Sequence, residues 1–226
     1  MESDQQRKDV NDAMREVIKA SPDHVVLDLS GNPGGSINAA GHMMSYLLRR
    51  ANRPASKVRL RDTAFYKRGK FTFVSKERRT QSLRAIRQFK RVGRINGVRT
   101  LPYARRSYGN PSFNGRLTLL VGPRTFSAAT MVVTTLRKNR RAPTRTVGTA
   151  MGGSSSTSCF SANGYYTLPN SGLRILIPST CYDRERDRRN KGEELVLDVP
   201  VDPLRTSLYS LRNRLYKAAF DTSTGW

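Results

Sequence analysis

Two separated stretches decide the reading of this chain. The first is His24-Val25-Val26-Leu27-Asp28-Leu29-Ser30-Gly31-Asn32-Pro33-Gly34-Gly35. The second is Leu117-Thr118-Leu119-Leu120-Val121-Gly122-Pro123-Arg124-Thr125-Phe126-Ser127-Ala128-Ala129. Each runs from an apolar segment through a turn into a helical pattern. Val25 to Leu29 lacks clean polar alternation, as expected of a strand covered on both faces. After the glycine turn, Ile37, Ala40, Met43, Met44, Leu47 and Leu48 recur at helical spacing to about Arg50, with Ser36 or Asn38 as cap. After the serine turn, Ala129, Val132, Val133 and Leu136 form the inner face of a helix over Ala128–Lys138. Strand–turn–helix units of this kind build layered α/β folds.

Working outward, residues 8–20 predict a helix whose face is Val10, Ala13, Met14, Val17 and Ile18, closed by Ser21-Pro22. Thr144 to Val147 reads as a strand and 152–158 as a polar loop. Tyr165–Leu168 and Leu173–Ile177 form a hairpin around Pro169-Asn170-Ser171-Gly172. Leu195 to Val201 predicts a last strand. Pro203 then opens a helix with the face Leu204, Leu208, Leu211 and Leu215. Residues 57–110 fit less well. Val58–Arg61 and Phe71–Val74 suit strands and Ser82–Phe89 a helix, broken up by Gly93, Gly97, Pro102 and Gly109. The expectation is one core domain over 1–226 with a basic insertion at about 57–110.

Hydrophobic residues make up 37% of the 226, enough for one sizeable core. No apolar run approaches the length of a membrane span. Met1 to Lys8 has no apolar centre and does not read as a signal peptide. Location stays open: export if an N-terminal segment is missing, otherwise intracellular. The net charge is +24. Between Lys57 and Arg106 there are 17 Lys or Arg and two acids. Such an excess attracts polyanions, with RNA a candidate partner through Arg78, Arg79, Arg84, Arg87, Lys90 and Arg91. An arginine-biased composition explains it equally well. The two cysteines, Cys159 and Cys181, carry no metal-ligand spacing, so no metal is expected. Extending the hairpin brings them nearly opposite, so a disulfide is conceivable. Two unpaired thiols is the plainer reading.

Gly31 to Gly35 can turn a backbone so that its N–H groups face developing negative charge. The stretch has neither the Gly-Lys-Ser/Thr of a phosphate loop nor the glycine spacing of a dinucleotide site, so no cofactor is expected. Ser127 stands where a hydroxyl meets a helix N-terminus. It suits a nucleophile, with the N–H of Ala128 as an oxyanion donor. It also suits a plain helix cap. It is not the elbow motif of the α/β-hydrolases.

Five segments taken in order resemble the C-terminal-processing (tail-specific) and tricorn-core serine peptidases. Val26–Gly35 is similar to their "LDLRGNPGG", with Ser30 at the arginine. Thr125–Ala129 resembles the nucleophile segment, and Thr146–Gly153 the "VGExTGG" turn. Leu168–Leu173 with Ile177-Pro178 resembles the hairpin of the tricorn-like branch, and Asp198–Val201 the closing "PDxxV" strand. The resemblance implies a ClpP/crotonase-like α/β core, a twisted sheet with packed helices. It implies a peptidase acting on an unstructured peptide or a protein C-terminus.

Carried over residue by residue, Ser127 is the nucleophile. Ala128 and either Gly34 or Gly35 give the oxyanion hole, with a slight preference for Gly34. The tail-specific lysine position is occupied by Gly152. The tricorn-like branch uses an upstream histidine, but only His24 precedes the strand, and it sits directly beside it. Arg189 falls on the expected glutamate, leaving Glu185, Glu193 and Glu194 as nearby acids. His42, on the helix after the glycine turn, is the remaining candidate base. A serine hydroxyl is a poor nucleophile without a proton acceptor. The expectation is therefore a peptidase domain incomplete as an isolated chain. The alternative is a noncatalytic scaffold bound to RNA or the ribosome.

Overall fold

The computed structural model describes residues 2–48, 57–61, 71–73, 76, 79–80, 94–95, 98–102, 111–140, 142–160, 164–178, 180–184, 195–202 and 208–221. In chain order the elements begin α1 (Glu2–Ala20), β1 (His24–Asp28), α2 (Ile37–Leu47), β2 (Lys57–Arg61), β3 (Phe71–Phe73), β4 (Arg94–Ile95), β5 (Val98–Pro102) and β6 (Arg116–Val121). They continue α3 (Ala128–Asn139), β7 (Thr144–Gly148), β8 (Thr157–Phe160), β9 (Gly164–Thr167), β10 (Arg174–Leu176), β11 (Thr180–Asp183), β12 (Val199–Pro200) and α4 (Leu208–Phe220). The chain divides into two units, Met1–Pro54 with Ala104–Ser156 and Arg186–Trp226, and Ala55–Tyr103 with Thr157–Glu185.

The first unit holds a four-stranded sheet in the order β1-β6-β7-β12, parallel throughout. The alternation of a strand explains its two cores. Leu117, Leu119 and Val121 of β6 are fully buried in one cluster with Met44 and Leu47 of α2 and Val133 and Leu136 of α3. Leu120, also fully buried, faces the other way against Val147 and against Leu215 and Ala219 of α4. This is an α/β layer with helices on both faces of a parallel sheet. Ser36 is the cap of α2, accepting from the Ala39 N–H at 3.2 Å.

Two elements differ from expectation. α1 starts at Glu2, ahead of the predicted residue 8. The predicted strand over Leu195–Val201 shrinks to Val199–Pro200, where the proline has no N–H to extend a ladder. Side chains hold the approach instead. Thr146 donates to Asp198 Oδ2 from its N–H at 2.7 Å and its hydroxyl at 2.8 Å, and Arg137 pairs with Asp198 at 3.3 Å. Pro203 and Leu204 lie outside the described residues.

The second unit holds two antiparallel sheets, β4-β5-β2-β11-β8 and β10-β9-β3. Val58 and Leu60 are buried, and Arg59 grips Asp183 through two hydrogen bonds at 2.7 and 2.8 Å. The hairpin pairs Tyr166 of β9 with Ile175 of β10. Cys159 and Cys181 lie directly opposite on β8 and β11 and form a disulfide. The expectation of two unpaired thiols is overturned. What joins them is the pairing of β8 with β11 in a sheet separate from that of the hairpin. Residues 157–185 thus group with 55–103, whereas the sequence assigned them to the core. The predicted helix over Ser82–Phe89 lies outside the described residues. So do Arg78, Arg84, Arg87, Lys90 and Arg91; Arg79 is described and exposed.

Candidate functional site

Parallel strands place the ends of β1 and β6 side by side, so both turns leave the same edge of the sheet. Ser127 ends the second turn, at φ 53 and ψ −117. A non-glycine residue with this backbone stores on the order of 1–3 kcal/mol of strain. Ser127 occupies the N-cap position of α3, its carbonyl accepting from the Met131 N–H at 3.0 Å, but its side chain makes no cap hydrogen bond. The glycine turn packs directly on it. A Cβ added to Gly34, at φ +100, would stand 2.7 Å from the Ser127 Cβ, 2.8 Å from the Phe126 oxygen and 3.0 Å from the Ala128 nitrogen. Only glycine permits this approach.

Backbone donors collect at the same place. Among the described residues, the Ala128 N–H at the start of α3 has no acceptor, as the first turn of a helix leaves it. The Gly34 N–H donates to Asn32 Oδ1 at 2.8 Å and is spent within its own turn. Gly35, at φ +141, has open space around its α-carbon, and its N–H has no acceptor among the described residues. A cavity of about 430 Å³ runs past Gly34, Gly35 and Ala128, walled by Leu27, Met43 and Val132. Its volume lies in the range of ligand sites.

A third turn closes the other side. A Cβ on Gly152 would stand 2.2 Å from both Phe126 Cζ and the Pro123 oxygen. The Gly153 N–H donates to the Thr125 oxygen at 3.0 Å. Asp28 anchors the start of the glycine turn. It accepts from the Ser30 N–H at 2.9 Å, the Ser30 hydroxyl at 2.6 Å and the Tyr216 hydroxyl at 3.0 Å. Burial pushes this carboxyl up, but the Ser30 and Tyr216 bonds and Arg212 outweigh it and hold the pKa below the usual value.

Both histidines are engaged elsewhere. His24 begins β1, opposite Arg116, at the far edge of the sheet from the turns. At about 3.3 Å per residue, the strand carries the chain well over ~10 Å before the glycine turn. Its Nε2 bonds the Thr118 hydroxyl at 2.9 Å and its ring meets Phe220 edge-on. Burial, then Arg116 and Arg145, lower its pKa. His42 Nε2 bonds Asn11 Oδ1 on α1, and its ring meets Tyr46. Burial, then Arg7, lower its pKa. Ser127, Ala128, Gly34 and Gly35 are brought together, and neither histidine joins them. Glu185, Glu193 and Glu194 lie outside the described residues.

The family model for peptidase family S41 matches residues 1–187. The chain belongs to this family. It is thus a serine-type peptidase domain by descent, with the α/β fold of its S41 relatives. No curated protein sequence matches it. Among solved structures, mature CPAF is 13% identical with a TM-score of 0.51, covering 94% of this chain and 45% of that one. The photosystem II D1 C-terminal processing protease is 17% identical with a TM-score of 0.49, covering 93% and 43%. An S41 protease from Bacteroides fragilis is 16% identical with a TM-score of 0.48, covering 93% and 48%. The chain spans less than half the length of these structures.

In this S41 chain the sequence alone passed over two residues of the turns, Asn32 and Thr125. Asn32 takes the Gly34 N–H on its side chain, and its carbonyl accepts from Phe126 N–H at 3.1 Å. An asparagine two residues before a glycine is a known turn-former, so that signal was present. Among the described residues no helix is long and apolar enough to cross a membrane, and no metal-ligand cluster occurs.

Proposed function

We propose that this S41 domain performs acyl transfer through Ser127 on an unstructured peptide or protein C-terminus. The Ser127 oxygen attacks the scissile carbonyl, and the developing oxyanion lies between the N–H groups of Ala128 and Gly35. Gly34 shapes the approach, since its own N–H is already used. Preorganised donors of this kind are commonly the largest contribution to such catalysis. The observation that carries the reading is the strained, uncapped Ser127 seated against Gly34. A serine that merely capped α3 would have no need of this backbone.

The proton acceptor is the weak point of the isolated chain. Its two histidines are committed to Thr118 and Asn11, and Gly152 stands where the tail-specific branch has lysine. Peptide turnover by this chain alone is therefore expected to be slow.

A fluorophosphonate probe tests the nucleophile without knowledge of the substrate. Labelling is expected on Ser127, slow because the base is missing and so read after prolonged exposure, and absent in Ser127→Ala. A folded chain that takes no label, or takes it elsewhere, removes the acyl-transfer reading. Fast peptide hydrolysis abolished by Ser127→Ala would remove the claim that the base is missing.

A further inference from the structure

Thr125 is polar yet has no exposed surface, and its hydroxyl is used twice. It accepts from the Gly122 N–H at 3.0 Å and donates to the Leu29 carbonyl at 2.7 Å. Leu29 is where the sheet ends. Its N–H still donates to Leu120 across the ladder at 2.9 Å, while its carbonyl accepts from the Thr125 hydroxyl and from the Asn32 N–H of the glycine turn at 3.1 Å. The Thr125 backbone is occupied as well. Its N–H donates to the Gly122 oxygen at 2.9 Å, and its oxygen accepts from the Gly153 N–H at 3.0 Å and the Thr130 hydroxyl at 3.2 Å. One residue along, the Phe126 N–H donates to the Asn32 oxygen at 3.1 Å. The glycine turn, the serine turn and the 149–153 turn are all tied through this one buried threonine.

We propose that Thr125 is a positioning residue that locks the glycine turn at a fixed distance from Ser127. The proposal deepens the acyl-transfer reading and rests on it for its catalytic meaning. The reasoning is geometric. The donors of an oxyanion hole lie on two separate turns, and a misplacement of about 1 Å between them costs on the order of 100-fold in rate. Of the cross-turn bonds, the Thr125 hydroxyl bond to Leu29 is the short side-chain bond. Removing the hydroxyl leaves the Leu29 carbonyl held only by the Asn32 N–H of its own turn, at 3.1 Å, and cuts the side-chain tie between that turn and the serine turn. Thr125→Val keeps the shape and deletes the hydroxyl. Thr125→Ser keeps the hydroxyl and deletes a methyl.

The test compares both variants with wild type and with Thr134→Val. Thr134 bonds only within α3, to the Thr130 and Met131 carbonyls at 2.9 and 3.2 Å, and serves as the control for lost hydroxyl bonding. Two readouts are taken well below the melting temperature: the rate of fluorophosphonate labelling at Ser127, and amide hydrogen exchange at Asn32 and Gly34, whose N–H groups are hydrogen-bonded within the glycine turn. Thr125→Val is expected to slow labelling about 10- to 100-fold and speed exchange in the glycine turn. Thr125→Ser should stay near wild type, and Thr134→Val should leave both readouts unchanged. If the valine variant does not fold, Thr125→Cys gives the same comparison with a weaker donor. Wild-type labelling and exchange in Thr125→Val would overturn the proposal, and so would equal acceleration of exchange in Thr134→Val. If no chain, wild type included, takes the label, the acyl-transfer reading falls alone. Exchange in the glycine turn then still decides Thr125, for it if the acceleration is confined to Thr125→Val and against it if not.

Discussion

Gly152 falls where the resemblance to the tail-specific peptidases places a lysine base. A Cβ added there would meet the Phe126 ring and the Pro123 carbonyl oxygen, each at 2.2 Å. The ring is partly exposed and can swing away, but the carbonyl belongs to the serine turn itself. A side chain here pushes on the segment that sets Ser127. Gly152→Lys is therefore expected to destabilise the chain by about 1–3 kcal/mol, as overpacking does, and to confer no hydrolysis. Thermal melts and peptide turnover check this together. A Gly152→Lys chain that melts like wild type and cleaves peptides would show that the site accepts a lysine base after all.

At the scale of elements, the disulfide fastens β8 to β11 within the sheet β4-β5-β2-β11-β8. Among the described residues β8 is a four-residue edge strand, paired on one side only, with β11. The bridge closes a loop with a sequence separation of 22, which chain entropy values at about 3 kcal/mol. Replacing both cysteines with serine, or adding reductant, is expected to lower the unfolding free energy of the Ala55–Tyr103 and Thr157–Glu185 unit by about that amount. Denaturant titration with and without reductant measures it. Identical curves, or an intact mass showing two free thiols in oxidising buffer, would count against the bridge.

Across the whole molecule the outstanding quantity is the net charge of +24. Charge gives attraction without geometry, and its consequence is salt dependence through counterion release. If the basic segment is a binding surface, RNA affinity falls by about three orders of magnitude or more between ~50 and ~200 mM salt. Neutralising Arg78, Arg79, Arg84, Arg87, Lys90 and Arg91 together should weaken binding equally for different RNA sequences. Filter binding at two salt concentrations is sufficient. No binding at low salt would leave the charge as a matter of composition.

The strand–turn–helix units were legible along the chain because they are local. Periodicity over β1, α2, β6 and α3 is set by residues within one element, and a glycine turn announces itself by composition. The same locality and the ordered motifs brought out Ser127, Ala128, Gly34 and Gly35. Other features depended on partners distant in the chain, and only the tertiary structure decided them. Cys159 and Cys181 pair because β8 and β11 share a sheet, a fact no spacing rule contains. Ser127 sits at the N-cap of α3 yet makes no side-chain cap bond, and it has Gly34 of another turn packed against it, which its own segment does not reveal. His42 looked able to reach the site from its helix until Asn11 of α1 took its ring nitrogen. Thr125 read as one more junction residue until β1 came to rest beside β6 and put the Leu29 carbonyl within reach of its hydroxyl. A residue's type limits which bonds it can make, but the fold chooses the partner.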